Sequence, residues 1–121
     1  MGLRVKVAPE AEAWLETCHV EAAVRARVKA RFDRRLRLLE SGGLAIGTQY
    51  VKRVTGYEGL WEVRVADPTG AYRLFFGLAR RGVCVIAAGD VKTKDRFRAN
   101  EYRRMAQKVA AAVAEVERGG E

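Results

Sequence analysis

Hydrophobic positions along the chain change their spacing several times, and each change marks an element. "LRVKV" alternates apolar and basic residues, the period of a short first strand. In "PEAEAWLETC", Pro9 suits the first turn of a helix, and the acidic residues lie near the positive end of its dipole. From about His19 to Glu40, Val20, Val24, Val28, Phe32, Leu36 and Leu39 recur at three- and four-residue steps. They form the buried stripe of a long helix, with Arg25, Lys29, Arg34 and Arg37 mostly outside it. "SGG" at 41–43 stops that helix.

The period then falls to two. "YVKRVTG" predicts a strand, and "LWEVRVA", "AYRLFFGLA" and "GVCVIAAGDV" predict an antiparallel meander turning at "DPTG" and "RRG". "KTKDRFRAN" is a basic loop. A last helix runs from Asn100, a good N-cap residue, to about Glu117, with Tyr102, Met105, Ala106, Val109, Val113 and Val116 on its apolar face. Strand, two helices, three or four strands and a helix make an α+β domain. Its helices cover one face of the sheet and leave the other partly open. On the hairpin, Trp61, Val63, Tyr72, Leu74 and Phe76 then face the helices, while Glu62, Arg64 and Arg73 lie exposed on the open face. A one-residue slip would bury two arginines without partners, so the register is well determined. Trp14 and Trp61 read as core, and His19 as a cap or packing residue.

Composition adds a direction to this frame. The 121 residues suit one domain, 1–121, with a frayed tail at 118–121, and 49% of them are hydrophobic, enough for a core. Lys and Arg number 23 against 15 Asp and Glu, a net charge of +8. Such a chain is drawn to polyanions, although charge alone does not choose among nucleic acid, anionic lipid and acidic protein. Cys18 and Cys84 lie far apart, with no CxxC pair or His cluster, so both read as reduced structural thiols. No segment approaches the roughly 20 apolar residues of a membrane span, and the N-terminus lacks the apolar core of a signal peptide. The chain is expected to be cytoplasmic and to need no cofactor or metal.

The ordered set "GLWEVR", "AYRLFF" and a strand ending in "VK" before a final helix resembles the RelE/ParE superfamily of bacterial toxins. Its nearest branch is that of the HigB-like, phage Gp49-related toxins. The resemblance covers about 50–104, and the N-terminal helices agree in arrangement only. It implies a RelE-like fold, with about four antiparallel strands and two N-terminal helices and one C-terminal helix on one face. It also implies an mRNA endoribonuclease acting on the translating ribosome, neutralised by a cognate helix-turn-helix antitoxin. By the same resemblance Arg73 is the active-site "YR" arginine, joined by Arg64 and Glu62 on the preceding strand. Lys92 and Lys94 correspond to the lysine-rich segment after the last strand. Lys52, Arg53, Lys92, Lys94, Arg96 and Arg98 are the candidate RNA-binding cations. This chain departs from the close relatives in "GDVKTKDRFRAN", which lacks an aromatic before the lysines and a proline after them, and in having no histidine there.

A metal-free ribonuclease attacks the scissile phosphate with the adjacent 2′-OH. Arginine suits the stabilisation of the transition state, because its fork binds phosphate oxygens bidentately and stays charged. The base could be Glu62, Asp90, or a lysine among Lys92 and Lys94. Tyr102 could stack on a base or donate a proton, but its spacing also fits core packing. Two other readings stand beside this one: a ParE-like protein that binds and inhibits gyrase, and a catalytically inactive prophage-derived relative.

Overall fold

Neighbouring residues of a strand point to opposite faces, yet Leu74, Phe75 and Phe76 are all fully buried. Both faces of the sheet must therefore be covered there. The computed structural model, which describes residues 2–47, 49–92 and 99–119, shows how. In chain order the elements are β1 (Arg4–Val7), α1 (Pro9–Thr17), α2 (Ala22–Gly42), β2 (Val51–Arg53), β3 (Trp61–Asp67), β4 (Gly70–Ala79), β5 (Val83–Lys92) and α3 (Ala99–Arg118). The strands form one five-stranded sheet in the order β1-β5-β4-β3-β2. On one face α1 and α2 pack Leu15, Val28, Phe32 and their neighbours against Val63, Tyr72, Leu74, Phe76 and Ile86. On the other face α3 lays Met105 and Val109 over Phe75, Ala87 and Ala88.

The α+β class and the β2–β5 meander agree with the sequence, and three details do not. The expectation of three helices on one face is corrected, because the "LFF" and "VCVIAA" runs are apolar on both sides and need a cover on each. The sheet is mixed rather than wholly antiparallel, and has five strands rather than about four, because β1 pairs parallel with β5 at its edge. The long helix starts at Ala22, not His19, and Val20 is 92% exposed instead of joining the buried stripe. The intervening turn is held by its own bonds: the Glu21 N–H donates to His19 Nδ1 at 3.0 Å, and Arg25 Nη1 donates to the carbonyls of His19 and Val20. His19 thus braces the turn before the helix, whose N-cap position is taken by Glu21 without a side-chain cap. At the other end Gly43 adopts φ 62° and its N–H returns to the Leu39 carbonyl, the stop that "SGG" predicts.

A bulge in β5 sets the register beside Arg73. Phe75 pairs with Ala88 and Phe76 with Ile86, so Ala87 is extra. Beyond it the alternation is reset: Gly89 faces Trp14, and Asp90 comes opposite Arg73. A Cβ on Gly89 would overlap the Trp14 ring, so only glycine lets α1 sit this close. At the hairpin tip, Arg27 of α2 grips Asp67 bidentately, Nε to Oδ1 at 2.7 Å and Nη2 to Oδ2 at 3.0 Å. Asp67 Oδ2 also accepts from the N–H and hydroxyl of Thr69, and Arg31 Nη1 donates to the Ala66 carbonyl. These contacts tie the long helix to the turn. Among the described residues, no helix is long and apolar enough to cross a membrane.

Candidate functional site

β3 and β4 place Arg64 directly opposite Arg73 on the α3 side of the sheet. Like charges in that position repel, and the neighbour two residues back on the same face resolves it. Glu62 Oε2 lies 3.3 Å from Arg73 Nε and 3.7 Å from Arg64 Nε. One carboxylate oxygen therefore sits between two guanidinium groups and fixes where both point. The side chains of Glu62 and Arg73 are 5% and 9% exposed, whereas that of Arg64 is 44% exposed. The exposed open face read from the sequence is corrected here: α3 crosses it, and only Arg64 of the three stays in solvent.

What keeps Arg73 in play is a cavity of about 220 Å³ at the edge of α3, lined by Lys52, Val54, Thr55, Glu62, Arg64, Arg73 and Tyr102. β2 presents Lys52 opposite Glu62, at the rim. The 54–60 loop, closed by the Val54 N–H on the Leu60 carbonyl at 2.9 Å, brings Thr55 to the wall. From α3 comes Tyr102, its ring tilted on Tyr57 at 5.7 Å and edge-on to Phe75 at 6.4 Å. Tyr102 is therefore both a packing residue and a wall of the cleft. Burial, reinforced by the Glu62 carboxylate, pushes its phenol above the usual tyrosine range, so it is a neutral donor at physiological pH.

The lining holds three cations and one carboxylate. A residual positive field in a cleft below the volume of ordinary small-molecule pockets suits one anionic linkage of a polymer better than a free organic ligand. Of the residues singled out from the sequence, Glu62, Arg64, Arg73 and Lys52 converge. Arg53 does not, since it stands opposite Trp61 on the other side of the sheet. Lys92 ends β5 opposite Ala71 and is absent from the lining. Asp90 is opposite Arg73, but its Oδ1 accepts the N–H of Val91 at 2.8 Å. Lys94, Arg96 and Arg98 lie outside the described residues. Thr55 and Val54 were missed, because nothing in their local pattern separates them from an ordinary turn.

A family model for phage-derived, Gp49-like proteins (DUF891) matches residues 22–110. The chain belongs to that family. The match runs from the start of α2 into α3 and takes in every residue lining the cleft. "GLWEVR" and "AYRLFF" both lie within the match. No curated protein is significantly similar to this Gp49-like chain in sequence. Both of its cysteines are buried free thiols, and burial pushes Cys84 up to about 12, which suits structural rather than reactive roles.

Proposed function

We propose that this Gp49-like protein is the toxin of a type II toxin–antitoxin pair and cuts mRNA at the Arg73 cleft by metal-free attack of a 2′-OH. The observation that carries the reading is the pair of guanidinium groups held by one buried carboxylate at the floor of a cationic cavity. Arg73 and Arg64 receive the non-bridging phosphate oxygens and stabilise the charge that grows on them in the transition state. Donors aimed at developing charge are worth about 3–4 kcal/mol each in well-studied oxyanion sites. Glu62 acts as a positioning residue, its Oε2 engaged by both arginines. As the 2′-oxygen attacks phosphorus its proton passes to solvent water in the open cleft, and the Tyr102 phenol, kept protonated, donates to the departing 5′-oxygen as the P–O5′ bond breaks. Lys52 at the rim draws in the backbone. A ribosome-borne mRNA and a helix-turn-helix antitoxin covering the basic surface are the partners this reading requires.

Induced expression should arrest growth, and Arg73→Ala should relieve the arrest while the protein still folds and melts cooperatively. Primer extension on cellular mRNA separates this from the gyrase-binding reading. Discrete new 5′ ends support cleavage; intact mRNA with gyrase-linked DNA damage refutes it.

A further inference from the structure

Between Arg25 and Arg37, α2 carries Arg25, Arg27, Lys29, Arg31, Arg34, Arg35 and Arg37 against the single carboxylate of Asp33. Asp33 is already taken by Lys29 at 3.6 Å. Arg27, Arg31 and Arg35 are four residues apart, so they stand in a row along one flank of the helix, about 6 Å per step. Each is fixed to the sheet side. Arg27 holds Asp67, Arg31 donates to the Ala66 carbonyl, and the guanidinium of Arg35 lies 4.9 Å over the Tyr50 ring. Among the described residues, only Asp67 cancels a charge of this row. A carbonyl and an aromatic face hold Arg31 and Arg35 in place and leave them cationic, and exposed Arg34 stands beside them.

The buried Nε of Arg35 has no hydrogen-bond partner among the described residues. Burial, with the charges of Arg31 and Arg34, draws Arg35 below the usual arginine range. A like-charge cluster without a local acid is costly in the free protein and is relieved when an external anion binds it. Guanidinium groups held at regular steps match a polymer that carries charge at every residue. Because Arg31 and Arg35 are already immobilised, little of their side-chain entropy is lost on binding. The row is on the α1–α2 side of the sheet, opposite the cleft.

We propose that Arg31, Arg34 and Arg35 form a second RNA-docking surface that grips the phosphate backbone of RNA outside the cleft. The identity of the polymer rests on the nuclease reading above; the anion site does not.

The test uses a fluorescein-labelled 2′-O-methyl RNA hairpin, which has no 2′-OH to attack, bound to the full-length protein across a salt titration. Arg31→Gln/Arg34→Gln/Arg35→Gln should lower the slope of log K against log salt by roughly two to three, and weaken low-salt binding about tenfold or more. A control with equal charge loss on exposed cations elsewhere, Lys6→Gln/Arg81→Gln/Arg118→Gln, should change the slope by less than about one. If the first variant melts early, Arg34→Gln alone should still lower the slope by about one. Equal effects of the two triple variants, or no effect of either, would overturn the proposal. So would a poly-glutamate peptide whose binding is lost in the α2 variant while RNA binding persists, an outcome that assigns the row to an acidic protein. A parent protein that binds the hairpin through the row but never cuts RNA would support the docking surface and refute only the nuclease reading.

Discussion

Arg64 and Arg73 face each other across two strands, and Glu62 is the residue that makes this tolerable. Glu62→Gln keeps the shape and removes the charge, leaving Arg73 buried beside a neutral amide. Urea unfolding should show a loss of about 2–3 kcal/mol, and cleavage should fall because neither guanidinium is aimed any longer. Arg73→Lys tests the fork itself: a point charge replaces a planar bidentate donor, and the cleavage rate should drop by about 10²–10³ with stability little changed. The alternation of the hairpin was enough to put these three polar residues on one face. The burial of Glu62 and Arg73 was not legible, because α3, which covers that face, starts about 25 residues or more further along. Tyr102 shows the same limit from the other side. Its spacing on α3 announces packing, which it does, while its place on the cleft wall depends on where α3 crosses the sheet.

At the scale of elements, two joints hold the frame that presents the cleft. The first is Asp67 between α2 and the hairpin turn. Arg27, and then Thr69, hold its carboxyl well below the usual carboxylate range. The folded value lies below the unfolded one, so this contribution is present above about pH 4 and is lost as the pH falls further. Asp67→Asn should therefore melt earlier than the parent at pH 7, and its melting temperature should fall less steeply between about pH 5 and pH 3. The second joint is Gly89 against Trp14. Gly89→Ala forces a methyl group into the indole and should cost about 1–3 kcal/mol in urea unfolding. The turns, the stop at Gly43 and the order of elements could be read from local residue chemistry. The bulge at Ala87 and the parallel pairing of β1 could not, since both are set by long-range fit between strands. The two-sided burial of β4 was visible in "LFF" and was overridden by an alternating pattern that fits only β3.

For the whole molecule, the +8 charge is unevenly used. One face concentrates three cations around a cleft, and the other carries the α2 row above the sheet edge. Basic composition alone favoured any polyanion. On the proposed reading, one structured RNA is held at the α2 row and cut at the cleft. The family match covers α2 and the cleft but not β1 or α1.

The most direct measurement uses translating ribosomes programmed with an mRNA cut by the purified protein, beside an mRNA bearing a single 2′-deoxynucleotide at the cut position. The account predicts a 2′,3′-cyclic phosphate end on the first, no cut at that position in the second, and silence from Arg73→Ala on both. A cut that survives the missing 2′-OH, or an Arg73→Ala protein that cuts as fast as the parent, would contradict it.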